Sequence, residues 1–407
     1  MSRLANPYHR MTDFNFPPAF EQRMHATLGE RWKEFAVAHQ QSSPVSIRIN
    51  AKKTNHPRVS AAVPWTSTGF YLEERPSFTL DPAFHAGSYY VQEASSMFLE
   101  QALLQAADLT RPLNVLDLCG APGGKSTHIL SLLSEQSLLV SNEVIRSRAA
   151  ILSENIQKWG HANVIVSNND PKDVGHLSGF FDVIVVDAPC SGEGLFRRDA
   201  GAMKEWSADH VELCSRRQRR ILSDVWPALK PEGILIYSTC TYNESENEEN
   251  LQWLSEQNDI SFVSLTIPAE WNIEAIHQNK IEGYRFYPHK VNGEGFFMAV
   301  IKKLHDEPAL SLKNGKSFPV PDKKILQQLE RWVINPLEKT FIIRDGTLQF
   351  YPANKKAEIE FLIKQLSIVS AGTFAGMVKH DKIIPEHALA LSLSLNKEHF
   401  NALPLSL

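Results

Sequence analysis

Long apolar runs are absent from this 407-residue chain. None approaches the ~18 residues of a membrane-spanning helix, and the opening stretch "MSRLANPYHRMTDFNF" lacks the apolar core of a secretory signal. Cysteine is scarce: four residues, none in a CxxC pair, which argues against a disulfide scaffold or a zinc knuckle. A reducing cytoplasm is therefore expected, with free thiols and no metal. A strong charge of either sign is missing as well, because 42 Lys/Arg face 46 Asp/Glu for a net −4. That balance does not advertise nucleic-acid binding, but it is uneven. Residues 302–407 hold 15 basic and 11 acidic side chains, leaving 27 against 35 for residues 1–301. Two local clusters are sharper, "SRRQRR" (Ser215–Arg220) and "FRRD" (Phe196–Asp199). A solvated helix face is the ordinary meaning of such a run, and a phosphate-contacting patch is the alternative.

The length predicts two or three domains with ample core. "PPAFEQRMHATLGERWKEFAVAHQ" places Phe20, Met24, Leu28, Trp32 and Phe35 at helical spacing, with Pro17 and Pro18 at its start, and "SPVSIRIN" (43–50) alternates as a strand. From about residue 90, short runs rich in Val, Ile and Leu recur: 113–118, 137–143, 162–167, 181–187, 233–239 and 295–303. Helical stretches at about 125–134, 144–158 and 208–229 separate most of them. This alternation predicts an α/β fold with a doubly wound, largely parallel sheet. Beyond 304 the chain turns linker-like. "FIIRDGTLQFYP" (341–352) then reads as a hairpin with Asp345-Gly346 at its turn, and 355–368 as a helix.

"VLDLCGAPGGKSTHI" (115–129) is a strand, a glycine turn and a helix start, a place where a ligand can approach backbone N–H groups. A phosphate-binding P-loop would need glycine where Cys119 stands. The first turn of an S-adenosylmethionine-dependent methyltransferase fits better. In such a fold Glu143, ending the second strand, would accept from the ribose hydroxyls. Asp170 after the third strand would face the adenine amine, and Asp187 ends the fourth. All would lie on the carboxyl edge of the sheet, where doubly wound folds bind ligands.

Cysteine is most often a small buried hydrophobe, and Cys214 in mid-helix keeps that reading. Cys190 in "VVDAPCSGEG" and Cys240 in "YSTCTYNESENE" differ, since each follows a strand that should border the cleft. Asn243, with Glu246 three residues on, looks like the capped start of a helix whose N-terminus would favour a nearby thiolate. Beside a methyl donor, a thiolate that adds to C6 of cytosine makes C5 nucleophilic. A carboxyl group at the pyrimidine edge, suitably protonated or hydrogen-bonded, would stabilise the charge the ring gains, and Asp187 is placed for this. One thiol would attack and the other assist release; their order is open at this point.

Together "YYVQEASSM" (89–97), "LDLCGAPGGKSTHI", "VVDAPCSGEGLFRRD" and "YSTCTYNESENE" resemble the Sun-family RNA cytosine-5 methyltransferases, over residues of about 15 to 303. "GEGLFRRD", "YRFYPHKVNGEGFFMAVIKK" (284–303) and the added C-terminal region are similar to the RsmF type, which methylates a cytosine of small-subunit ribosomal RNA. The resemblance implies a Rossmann-like class I methyltransferase core over 89–303. An RNA-recognition-like module would span 1–88, and an α+β RNA-binding region 304–407. The latter would begin a PUA-like domain at 371–393 that is expected to be incomplete at Leu407. It further implies Cys240 as nucleophile and Cys190 as release helper, whereas DNA cytosine-5 methyltransferases attack with the Pro-Cys thiol. Cofactor contacts carry over to Cys119, Gly120, Ala121, Pro122, Gly123, Gly124, Lys125, Glu143, Asp170 and Asp187. The two basic clusters gain weight as RNA backbone contacts.

The expected protein is thus a cytoplasmic, monomeric enzyme that uses S-adenosylmethionine and no metal on 16S ribosomal RNA or the small subunit. Transfer RNA is the alternative target, and a non-catalytic RNA-binding scaffold the alternative class. A flipped or loop cytosine is required in either target, because the base must leave its stack.

Overall fold

The structure is a computed structural model and describes residues 15–53, 59, 61–278, 280–304, 318–379 and 382–400. The signal-free opening stretch falls almost wholly outside these residues, as do most of the expected linker and the extreme C-terminus. Two helices come first, α1 (Pro18–Leu28) and α2 (Trp32–His39), followed by strands β1 (Val45–Ile49), β2 (Ala61–Ala62), β3 (Gly69–Leu72), a short helix α3 (Pro82–His85) and β4 (Tyr89–Val91). The single helix expected over 20–35 is broken by a tight turn at Gly29–Arg31, where Gly29 takes φ +57°. Its apolar stripe is core nonetheless: Phe20, Met24, Leu28, Trp32 and Phe35 are all buried. That stripe does not cover its own sheet. It clusters with Phe196 and Tyr242, on the two loops that carry the cysteine motifs, and with Tyr287 after β12.

The middle of the chain alternates as expected: α4 (Leu99–Ala106), β5 (Asn114–Asp117), α5 (Gly124–Leu132), β6 (Leu138–Asn142), α6 (Arg146–Trp159), β7 (Val164–Ser167), α7 (Pro171–Gly175) and β8 (Phe181–Asp187). Then come α8 (Ala200–Glu205), α9 (Ala208–Val225), β9 (Leu229–Thr239), α10 (Glu248–Gln257), β10 (Ile260–Phe262), β11 (Glu274–Gln278), β12 (Ile281–Phe286) and β13 (Phe296–Lys303). The C-terminal part adds α11 (Lys323–Trp332), β14 (Lys339–Arg344), β15 (Thr347–Pro352), α12 (Lys356–Gln365), β16 (Ile368–Ala371), β17 (Thr373–Lys379), β18 (Lys382–Pro385) and α13 (His387–Leu391).

The central sheet runs β11-β12-β13-β9-β8-β5-β6-β7-β16. Its five middle strands, β7 to β9, are parallel, and β13 and β16 join antiparallel on either side. This is the Rossmann-like methyltransferase order. Alternate residues of one strand feed opposite cores: Val115, Val183 and Val185 face α4, α5 and α6, while Leu116, Ile184 and Val186 face α9, α10 and α12. Strands covered on both faces must be apolar throughout, hence "VIVV" in β8. The chain leaves β5 towards β6 and β7 and later returns on the other side as β8. The switch point therefore lies between β5 and β8, where ligands bind in such sheets.

β16 was not foreseen. The short run "SIVSA" followed a helix signal without a break, yet it closes the otherwise open edge of β7, and α12 covers the face beside it. Part of the C-terminal region is thus built into the central sheet. The β14–β15 hairpin forms as expected, with Asp345 and Gly346 both at positive φ, as a two-residue primed turn requires. Among the described residues no helix is long and apolar enough to cross a membrane.

Burial neutralises several histidines. It pushes the imidazole pKa of His39 and His128 down to about 4, and that of His161 to about 3, each mainly by desolvation. The unfolded chain takes up these protons near pH 6.5 and the folded chain does not, so the unfolded state gains on acidification. Stability is expected to be full above pH 6.5 and to fall as the pH drops towards 4. Urea melts at pH 7.5 and 4.5 check this, and His161→Leu should shrink the difference between them.

Candidate active site

At the carboxyl edge, β5 delivers the glycine turn. Gly123 stands at φ +119° as the residue before α5, a conformation other residues rarely take. Gly120 has no room for a side chain, since a Cβ there would overlap the Ser141 hydroxyl. Helix α6 holds the turn from outside: Arg148 donates to the Ala121 carbonyl and Asn155 to that of Pro122, at 2.9 and 2.7 Å. Cys119 is partly buried, and burial pushes its thiol pKa up, so it stays a thiol.

Glu143, at the end of β6, is buried. It accepts the Ile145 N–H at 2.9 Å and lies 3.3 Å from Arg148. Val144 and Ile145 beside it are half exposed, an apolar surface next to an acid. Asp170 caps α7 through the Lys172 N–H and pairs with Arg220 at 3.3 Å. Beneath the glycine turn, Asp117 is wholly buried. One carboxylate oxygen takes the Ser126 hydroxyl at 2.6 Å, and the other has no protein partner. Desolvation raises its pKa to about 7. A donor such as the ammonium of an amino-acid-bearing cofactor matches that free oxygen. With the helix N-terminus, the apolar pair and Glu143, the residues present fit S-adenosylmethionine.

Asp187 ends β8. It receives the Ser238 hydroxyl at 2.8 Å and an ion pair from Lys125 Nζ at 2.7 Å. Burial works against the charge on Lys125, yet Asp187 and its neighbours hold the ammonium above its ordinary pKa. Lys125 thereby bridges the glycine turn to the Pro-Cys loop. Beyond Asp187 the two motif cysteines meet, with 3.0 Å between Cys190 Sγ and Cys240 Sγ. The contact with Cys240, and then burial, push the Cys190 thiol well above its usual pKa.

The helix expected to begin at Asn243 does not start there. Asn243 caps a single turn, Glu244–Glu246, through the Ser245 N–H, and α10 begins at Glu248. Cys240 therefore has no α-helix N-terminus at its back. Glu246 turns inward instead of closing a capping box. Its buried carboxylate accepts from the Ser191 N–H and hydroxyl and from Gln218. Ser191 also meets Thr241 at 3.1 Å, so one carboxylate ties the Cys190 loop to the Cys240 loop. Asn142 does the same for the cofactor side, donating to the Leu118 and Asn169 carbonyls and accepting from Ser167 and the Asn169 N–H. None of these clamps was anticipated. Gln218 alone left a signal, as a polar residue within the Cys214–Ile221–Leu222–Val225 stripe of α9.

The basic clusters resolve unevenly. Arg197 is buried against Glu294 and the Gly293 carbonyl, so "FRRD" loses it as a phosphate contact and keeps exposed Arg198. Within "SRRQRR", Arg219 bonds Asn250 and Arg220 sits between Asp170 and Asp224.

The family description "16S rRNA methyltransferase RsmB/F" matches residues 104–302, and that of the N-terminal domain of 16S rRNA methyltransferase RsmF matches residues 16–94. "Ribosomal RNA small subunit methyltransferase F" of Vibrio vulnificus is 34% identical over 350 residues, covering 78% of this chain and 72% of that one. The chain belongs to the 16S rRNA methyltransferase RsmB/F family. The relative of the same name from Salmonella heidelberg is 33% identical over 384 residues, covering 88% of this chain and 79% of that one. The chain spans 61% of the length of the Aeromonas salmonicida relative, to which it is 36% identical over 293 residues, or 70% of this chain. A methyltransferase homologue from Pyrococcus horikoshii, 30% identical, superposes at TM-score 0.61 over 71% of this chain and 96% of its own. NSun6 from the same organism, crystallised with SFG, an analogue of S-adenosylmethionine, shares the fold at TM-score 0.61 and 20% identity, over 72% of this chain and 99% of its own. As a member of the RsmB/F family the protein is an RNA methyltransferase of the S-adenosylmethionine-dependent class.

Glu246→Ala leaves Ser191 and Gln218 without their acceptor. A loss of roughly 3 kcal/mol in stability is expected from buried donors left unsatisfied, measurable by urea denaturation. Turnover should fall more than cofactor affinity does, because the glycine turn is held by other groups.

Proposed function

We propose that the protein methylates C5 of a cytosine in 16S ribosomal RNA through a covalent adduct at Cys240. The observation that carries this reading is the meeting of two thiols beside Asp187, on the edge that also holds the glycine turn. Cys240 Sγ, as thiolate, bonds to C6 of the flipped base, and the ring electrons shift onto C5 and the pyrimidine edge. That charge needs a proton or a cation: the Lys125 ammonium is the cation at hand, and Asp187, paired with it and a third exposed, would accept from the amino group of the base. S-adenosylmethionine supplies an electrophilic methyl group to which C5 then bonds.

After transfer, C5 carries both a methyl group and a proton. Removal of that proton returns an electron pair to the C5–C6 bond and expels Cys240 as thiolate. Cys190, its own proton passed to solvent once Cys240 is bonded to carbon, is the base beside it that takes the C5 proton. Its pKa is raised first by the contact with Cys240, which ends when that sulfur is bonded to carbon. Glu143, Asp170 and the turn from Cys119 to Lys125 would hold the cofactor, with the unpartnered oxygen of Asp117 added to the set.

Cys240→Ala should abolish transfer to RNA while leaving S-adenosylmethionine binding intact. Residual turnover above about 1% of wild type would end its assignment as nucleophile. Cys190→Ala should accumulate a protein–RNA adduct through Cys240, visible as a slow band in denaturing gels; clean turnover without that band would remove the release role. Bisulfite mapping of ribosomal and transfer RNA, with and without the gene, decides between the two targets.

A further inference from the structure

Outside the thiol cleft, a cavity of about 450 Å³ opens where the N-terminal sheet meets α6. Its walls carry Phe78, Phe84, Tyr89 and Tyr90, and no carboxylate is among the described residues that line it. Two cations sit at its rim on ring faces, Arg75 at 5.4 Å from the Phe78 centroid and Lys158 at 5.1 Å from that of Phe84. Exposed Glu154 lies 3.6 Å from Lys158, exposed Glu73 and Glu74 precede Arg75 in the chain, and Asp81 accepts from the Tyr89 hydroxyl outside the cavity lining. Phe84 and Tyr90 are partly exposed and Arg75 is exposed. One layer of side chains separates this cavity from the glycine turn: a Cβ at Gly124 would meet the Tyr90 ring at 3.4 Å, and Asn155 holds the Pro122 carbonyl.

Partly exposed Phe84 and Tyr90 beside two cations, in a cavity lined by no carboxylate among the described residues, suit an aromatic ligand that carries negative charge. An unstacked nucleotide is such a ligand, since every base has a face to stack and a phosphate next to it. We propose that this cavity is a stacking subsite for a nucleotide flanking the target cytosine, with Arg75 and Lys158 on its phosphate. The inference rests on RNA being the substrate. The target base itself must reach the thiols, across the glycine turn. The subsite therefore takes a neighbour in the same strand, and its filling holds the strand splayed at the target.

The test measures binding of a fluorescein-labelled RNA hairpin with a cytosine-containing loop to the full-length protein loaded with S-adenosylhomocysteine. Phe84→Leu keeps apolar volume and removes the stacking face. It should weaken binding about 5- to 100-fold, with melting temperature and S-adenosylhomocysteine affinity unchanged. Arg75→Gln should lower the slope of log affinity against log salt by about 0.7 to 1. An abasic site at one position beside the target should cost wild type the same factor as Phe84→Leu and cost that variant little more. Wild-type affinity in Phe84→Leu, or equal abasic penalties in both proteins at every position, would overturn the subsite alone. No RNA binding by wild type would overturn the RNA reading and the subsite with it.

Discussion

The site depends on the parallel register of β8 and β9. Val186 lies beside Tyr237 and Asp187 beside Ser238, so the two strands leave the sheet together and their loops start level. Three residues beyond Asp187 stands Cys190; two beyond Ser238 stands Cys240. Two sulfurs 50 positions apart in the chain thereby come within 3.0 Å. A one-residue slip would turn every β9 side chain to the opposite face and take the Ser238 hydroxyl off Asp187. The register is held by burial on both faces: Ile184 and Val186 are enclosed on one side, Val183 and Val185 on the other. The core fixes the chemistry before any loop is ordered.

Loops that leave a sheet level can still diverge, and buried polar side chains prevent it. Glu246 and Ser191 join the thiol loops, Asn142 joins the cofactor loops, and the Lys125–Asp187 pair links the two sets. Burial of Glu246 raises its pKa while three donors pull it down, which is the balance of a carboxylate used as a hub. A satisfied buried network of this kind is costly to disturb at any single point, because each donor left over loses a charged partner in a buried site. Under the proposed function, the base would have to be brought to this edge by movement of the RNA.

Much of this was legible in the sequence, for a physical reason. Strands covered on both faces are obliged to be continuous apolar runs, and β5 to β9 announced themselves in that way. The glycine turn was legible because side-chain crowding at Gly120 and positive φ at Gly123 favour glycine over any other residue type. The cysteines and Asp187 stood out by position, each just past a strand. Partners were not legible. Glu246 sat in an acidic run that fitted a capping box equally well, and only the folded chain turns it inward. Arg197 looked like any surface arginine until Glu294, 97 residues away, was seen to enclose it. β16 was hidden because four residues after a helix carry too little periodicity to announce a strand, and its pairing with β7 is set by tertiary contact alone.

Arg48 shows why the N-terminal sheet cannot be a detachable appendage. From β1 its wholly buried guanidinium reaches the first turns of α5, donating to the Gly124 carbonyl and the Thr127 hydroxyl. It also donates to Gln92 and Ser131 and stacks 4.5 Å from the Trp159 ring. These are neutral acceptors, and desolvation lowers its pKa to about 9, so the cation is retained at neutral pH at a cost in solvation. That cost is sustained because the planar fork satisfies several groups of two separate layers at once, which a lysine ammonium could not do with the same geometry. The helix that follows the glycine turn is therefore positioned by a residue of the N-terminal sheet. Tyr90, opposite Arg48 on the adjacent strand β4, touches the same turn. A strain on the sheet from bound RNA would be felt at the cofactor loop through these two side chains, which places substrate engagement and methyl-donor geometry on one mechanical unit.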